Sequence, residues 1–303
     1  MDYQSAIDQV AREVAQQPRN GNVADYIPEL RKVDGDRFAM ALQWVDGRLM
    51  TTGESEQRFS TQSISKVFGL ALALMKAPHE VWRRVGVEPS GNPFNSLVQL
   101  EYEWGKPRNP FINAGSIVIS DILLSVFDDP KSELLALVRT LADEPTIESN
   151  ARVAASEIKC GFRNEALANL MKSFGNIRWN VSDVLDLYVY MCAIEMSCRE
   201  LAHAFLCLAD DQAFTRLGYD LAPAEVRRIN ALMLTCGFYD ESGEFAYGVG
   251  LPGKSGVGGG IVAVRPRDYA VAVWSPRLNN KGNSELGTFA LRRLTDLTES
   301  SIF

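Results

Sequence analysis

The sequence predicts an α+β fold, in which an antiparallel sheet flanked by helices is formed from both chain ends and an all-helical domain is inserted between them. Three observations predict it. Strand-like runs lie near residues 38–52 and again after residue 236. Between residues 63 and 235 the apolar spacing is three and four, which is helical. The 303-residue length suits one large domain or two ordinary ones.

The elements follow in order. Tyr3, Ile7, Val10 and Val14 are spaced as one helix face. Phe38, Met40, Leu42 and Trp44 alternate with smaller or polar residues, Asp46-Gly47 makes a hairpin turn, and residues 49–52 return as a strand. Val67, Leu70 and Leu74 mark a helix; Leu134, Val138 and Leu141 mark another; Leu167, Leu170, Met171 and Phe174 mark a third. Asn180 or Ser182 caps a fourth through Val184, Leu187 and Met191, and Pro223 opens a fifth with Val226, Ile229 and Met233. Residues 88–95 and 106–115 are rich in Pro, Asn and Gly and read as loops. Residues 245–250, 260–265 and 269–274 read as strands, with turns at Ser242-Gly243 and 266–268. Leu286, Phe289, Ala290 and Leu297 give a closing helix. The expected division is a sheet-containing domain from 1–66 and 236–303, a helical domain from 67–235, and an active site between them.

Composition excludes several classes of function. The net charge is −7 and the isoelectric point near 5.1, so the chain lacks the surplus cations that displace counterions from nucleic acid. Five cysteines stand at 160, 192, 198, 207 and 236, without a Cys-x-x-Cys pair, and suit a reducing cytoplasmic setting. Only two histidines are present, so no histidine-rich metal site is expected. His79 reads as part of a polar loop and His203 as part of a helix over 199–208, and both read as structural. No apolar run approaches the roughly 20 residues that span a bilayer, and residues 1–22 lack the apolar core of a signal peptide. The chain is expected to be cytoplasmic.

The chemistry concentrates in a few segments. Ser63-Ile64-Ser65-Lys66 places a hydroxyl and an amine three apart, on one helix face if a helix begins near Ser63. A serine in a first helical turn keeps its N–H free and lies at the positive end of the helix dipole. Burial among Val67 and Phe68 favours a neutral lysine that can accept the serine proton. The same spacing recurs at Ser156-Glu157-Ile158-Lys159, where Cys160-Gly161 ends the helix. Lys254-Ser255-Gly256, continued by Val257 and three glycines, offers a cation, a hydroxyl and backbone able to approach a substrate. Residues 248–255 also match the phosphate-loop spacing, but a phosphate loop must lead into a helix and a β-like run follows instead. Glu157 and Asn164 are seven apart, two turns on one face only if Gly161 does not break the helix. Asn113, Tyr188 and Tyr239 complete the polar candidates.

Six segments taken in order resemble the serine-dependent glutaminase family, whose fold is that of the β-lactamases and penicillin-binding proteins. They are Gly-Asn-Val-Ala-Asp-Tyr-Ile-Pro-Glu-Leu at 21–30, Phe-Ser-Thr-Gln-Ser-Ile-Ser-Lys-Val-Phe at 59–68 and Pro-Phe-Ile-Asn-Ala-Gly at 110–115. Ser156-Glu157 with Arg163-Asn164, residues 235–243 and residues 252–260 complete the set. The resemblance implies a β-lactamase/transpeptidase-like fold and hydrolysis of L-glutamine to L-glutamate and ammonia, without metal or organic cofactor. It implies Ser63 as nucleophile and Lys66 as general base, with substrate contacts at Ser63, Asn113, Glu157, Asn164, Tyr188, Tyr239 and Val257. Lys254, Ser255 and Gly256 would support the site, and Tyr188 or Tyr239 would relay a proton to ammonia. Family members assemble as dimers or tetramers, so a homodimer or homotetramer is expected. Two rival readings are a β-lactam-interacting serine hydrolase of the same fold and a nucleotide-binding module at 248–255.

Overall fold

Strand formation begins with alternation. The run Ala-Met-Ala-Leu-Gln-Trp forms β1 (Ala39–Trp44), and Asp46-Gly47 turns it back into β2 (Leu49–Gly53). Two short strands, β3 (Phe59–Ser60) and β4 (Glu195–Met196), pair with each other apart from the main sheet. Near the C-terminus come β5 (Gly253–Ser255), β6 (Gly260–Arg265) and β7 (Tyr269–Trp274). The main sheet runs β2-β1-β7-β6-β5, and every pairing is antiparallel. Both chain ends therefore meet in it, with β1 hydrogen bonded to β7 in the register Ala39 to Trp274.

The computed structural model describes residues 2–90 and 97–303. Residues of β1 are buried on both faces, not one. Met40, Leu42, Trp44, Val271 and Val273 join the core beneath the terminal helices Tyr3–Ala15 and Glu285–Thr298. Ala39, Ala41, Ala270 and Ala272 point the other way, into the larger core that the helical segment completes. The helix Cys198–Ala209 packs on that face, where small side chains let the backbones approach.

The expected helices form: Lys66–Lys76, Pro130–Ala142, Phe162–Ser173, Val181–Cys192 and Pro223–Cys236. Asn180 sits at the N-cap position of Val181–Cys192, but its side chain bonds Asp183 instead of the backbone. Three expectations fail. Residues 245–250 do not form a strand; Ser242–Gly248 is helical, because Phe245 stacks on Phe238 at 3.6 Å and Gly250 has φ +68°. His79 lies in the short helix Pro78–Arg84, which Pro78 opens, and not in a loop. Residues 113–115 begin the helix Asn113–Val126 instead of ending a loop. Of the loop expected at 88–95, residues 91–95 lie outside the described residues. Among the described residues, no helix is long and apolar enough to cross a membrane.

Candidate active site

The segment carrying Ser63 is fixed before any helix starts. Ser60 Oγ donates to the Cys192 carbonyl at 3.0 Å, and Thr61 donates to the Ile194 carbonyl through both N and Oγ1 at 2.9 Å. Gln62 then adopts φ +49°, a left-handed conformation unusual outside glycine. A 3₁₀ turn, Gln62–Ser65, follows, and the α-helix begins only at Lys66. This departs from the expected helix start at Ser63, and it favours the pair. Residues three apart are eclipsed in a 3₁₀ turn, which stacks Lys66 on the side of Ser63.

Lys66 is 1% exposed. Its Nζ donates to Asn113 Oδ1 at 2.7 Å and to the Phe111 carbonyl at 3.3 Å, and lies 5.7 Å from the centre of the Tyr188 ring. Burial brings its pKa down to about 8. Two carbonyl oxygens occupy the two N–H bonds of a neutral amine and leave its lone pair free. Asn113 heads a helix whose Gly115 has no room for a side chain: a Cβ there would lie 1.9 Å from the Asn109 oxygen. Asn113 Nδ2 in turn donates to Asn164 Oδ1 at 3.0 Å.

Glu157 and Asn164 come from separate helices. Asn150 caps Ala151–Cys160 by accepting from Arg152 N and Val153 N, Gly161 breaks the helix, and Phe162–Ser173 follows. Glu157 is buried, and burial raises its carboxyl to about 7. One oxygen accepts from Gln62, while Oε2 has no partner. The second Ser-x-x-Lys tetrad has no such setting. Ser156 Oγ accepts from Glu29 N at 3.3 Å, and Lys159 is exposed.

Tyr239 also has a left-handed backbone, φ +55°. Its phenol is hydrogen bonded to both Ser63 and Ser255, and burial pushes it up to about 12. Lys254 Nζ lies 4.6 Å from the Tyr239 ring centre and donates to the carbonyls of Gly237 and Ser255, at 3.0 and 2.6 Å. At Gly256 a Cβ would lie 2.4 Å from the Thr61 oxygen and 3.2 Å from Ser63 N, so only bare backbone passes Ser63. Lys254 and Ser255 belong to β5, and a turn then leads into strand β6. No helix follows, so the phosphate-loop pattern has no phosphate-binding geometry.

A cavity of about 350 Å³ gathers these groups. Ser63, Asn113, Glu157, Asn164, Tyr188, Tyr239 and Val257 all line it. A family model described as Glutaminase matches residues 21–303. The chain belongs to the glutaminase family. It is 53% identical to a glutaminase of Christiangramia forsetii, with both chains covered completely. Among solved structures, a probable glutaminase, YbaS, superposes with TM-score 0.92 at 35% identity, covering 100% of this chain and 99% of the other. Mglu in its glutamate form superposes with TM-score 0.91 at 31% identity, covering 99% of this chain and 69% of that one. The fold is accordingly the β-lactamase-like fold of the glutaminases.

The cavity of this glutaminase has further walls that residue chemistry alone did not single out. Tyr26, Ile27, Gln62, Cys160 and Arg163 also line it. Tyr26 and Gln62 lie inside segments already matched to the family, at 21–30 and 59–68, and that membership was the available signal. Cys160 gave none, since its Sγ donates to the Ser156 carbonyl like any helical thiol. The two tyrosines of the glutaminase site differ. The Tyr188 phenol bonds Cys192, whereas the Tyr239 phenol bonds Ser63.

Proposed function

We propose that the protein hydrolyses L-glutamine to L-glutamate and ammonia through a γ-glutamyl ester on Ser63, with Lys66 as general base. The observation that carries this reading is the convergence of Ser63, Glu157, Asn164 and Tyr239 on one cavity, with a desolvated Lys66 one turn from Ser63. Family membership over residues 21–303 makes the protein an amidohydrolase of the glutaminase class.

Lys66 takes the Ser63 proton, Ser63 Oγ bonds the side-chain carbonyl carbon, and the N–H groups of Ser63 and Val257 stabilise the oxyanion. Tyr239 gives its proton to the leaving nitrogen and is reprotonated from the Lys66 ammonium. Ammonia departs, water deprotonated by Lys66 attacks the ester carbon, and Ser63 Oγ leaves as that proton returns to it from Lys66. Glu157 holds the substrate ammonium, and its partnerless Oε2 supports that role. Asn113, Asn164 and Tyr188 serve the carboxylate and amide, while Lys254, Ser255 and Gly256 shape the wall opposite Ser63. We assign the relay to Tyr239 because it is the tyrosine bonded to Ser63. The cavity takes Ser63, Tyr239 and Val257 from the part formed by 1–66 and 236–303, and Asn113, Glu157, Asn164 and Tyr188 from the part formed by 67–235. That supports a two-domain division with the site between. The reading extends to a cytoplasmic homodimer or homotetramer working without metal or organic cofactor; five free cysteines are consistent with a reducing compartment.

The test compares Ser63→Ala, Lys66→Ala and Ser156→Ala in a glutamine assay, with mass spectrometry for the ester. Ser63→Ala should release no ammonia and trap no ester. Lys66→Ala should lower kcat far more than it raises KM. Ser156→Ala should keep turnover. Turnover in Ser63→Ala, or an ester lost in Ser156→Ala, removes Ser63 as nucleophile.

A further inference from the structure

Behind the Tyr239 phenol lies a closed chain of hydrogen bonds that ends on a side chain outside the cavity. Asn283 is 1% exposed, in a tight turn held by Asn279 N donating to the Asn283 carbonyl at 2.8 Å and by Asn283 N donating to Asn279 Oδ1 at 3.1 Å. Its Nδ2 faces two acceptors, the Phe238 carbonyl at 3.3 Å and a Glu241 carboxylate oxygen. Both amide protons are thereby committed, and the amide cannot be flipped without setting oxygen against oxygen. Its Oδ1 accepts from Ser255 Oγ at 2.5 Å. Ser255 has one proton, so toward any other neighbour it can only accept. The other acceptor near Ser255 Oγ is the Gly237 carbonyl, at 3.4 Å, which already takes Lys254 Nζ and Ser255 N.

We propose that Asn283 is a positioning residue that sets the proton direction of Tyr239 through Ser255. This rests on the reading of Ser63 as nucleophile. With Ser255 held as an acceptor, the phenol proton rests on Ser255 Oγ. The phenol oxygen then presents a lone pair to Ser63, and the Ser63 hydroxyl is the donor in their contact. Ser63 keeps a lone pair open to the substrate carbon, and its proton needs only a rotation about Cβ–Oγ to reach Lys66. Without Asn283, the Ser255 proton turns to the phenol and the phenol proton turns onto Ser63 Oγ. An oxygen that accepts a hydrogen bond is the weaker nucleophile, so the lone pair that remains to Ser63 attacks more slowly. Removing Ser255 has the same result by a different route, since Ser63 becomes the phenol's remaining acceptor.

The experiment measures kcat and KM for glutamine in Asn283→Ala, Ser255→Ala, the double variant and Ser63→Ala, with thermal unfolding of each. Asn283→Ala should lose at least about 10-fold in kcat, part of what a misplaced proton donor costs. KM should stay within about 3-fold, because Asn283 does not line the cavity. Ser255→Ala should lose as much, and the double variant no more than either single variant, since both break one chain. Ser255→Ala leaves the 279–283 turn intact, so it decides the matter even if Asn283→Ala unfolds. Wild-type kcat in Ser255→Ala, or fully multiplicative losses in the double variant, would overturn the assignment while Ser63→Ala stays inactive. Turnover in Ser63→Ala would instead overturn the reading beneath it.

Discussion

Replacing Glu157 by glutamine should make the empty protein more stable and the enzyme nearly useless, and the gain in stability should depend on pH. Glu157 is 7% exposed, one oxygen has no partner, and burial lifts its carboxyl from the ordinary 4.5 to about 7. Each tenfold change in a proton equilibrium is worth about 1.4 kcal/mol, so ionising this group in the fold costs about 3 kcal/mol relative to the unfolded chain. The sign follows from which state holds more protons. The folded pKa is the higher one, so the cost is absent below pH 4.5, grows as pH rises, and is complete above about pH 7. Glu157→Gln keeps the shape and removes the charge. In denaturant unfolding without substrate it should gain up to about 3 kcal/mol over the wild type at pH 8 and much less at pH 4.5. In the glutamine assay at pH 8 its KM should rise on the order of 100-fold or more, as expected when a charged group loses its partner. A variant equally stabilised at both pH values would show that the carboxylate is not strained in the empty site. An unchanged KM would show that it does not face the substrate ammonium.

Three further outcomes follow from the same geometry. Burial brings Lys66 down to about 8 in the empty site, and the proposed base is its neutral form, so kcat/KM should rise with pH and level off above about 8; a flat profile from pH 6 to 9 excludes Lys66 as base. Over the same titration KM should fall as pH climbs through about 7, where Glu157 acquires its charge. Gly256→Ala puts a methyl 2.4 Å from the Thr61 oxygen, so it should cost about 1–3 kcal/mol in stability and displace Ser63, lowering kcat; normal activity in a folded Gly256→Ala protein would mean this wall does not set the nucleophile.

What the sequence revealed, and what it hid, divides along physical lines. The strands β6 and β7 were legible because each is an unbroken apolar run bounded by a turn at 266–268. Residues 245–250 have similar apolar and aromatic content, yet they are mostly helical. The deciding forces are a ring stack between Phe245 and Phe238 and the positive φ of Gly250, neither of which periodicity reports. β5 was hidden for the opposite reason. Gly-Lys-Ser has little intrinsic strand preference and takes the conformation because β6 pairs with it. Within the site, Ser63 and Lys66 announced themselves by spacing, and Glu157 and Asn164 by their polarity near a helix break. Asn283 left no trace, since an asparagine in a polar turn looks like any other until Ser255 is found against it.

The two buried lysines of this site cannot play the same part. Lys66 and Lys254 are both fully enclosed, and the charge of Lys66 disfavours a second charge on Lys254 after burial has already done so. Lys254 is held well below its ordinary range, by burial first and then by the charge of Lys66. Its amine donates to the carbonyls of Gly237 and Ser255. Those carbonyls belong to the turn that leads into Tyr239 and to the strand that leads into Gly256. Lys254 is therefore a strut joining the backbone that leads into Tyr239 to the strand that passes Ser63. Two positive charges this deeply buried oppose each other, so Lys254 braces the backbone while Lys66 stands beside Ser63.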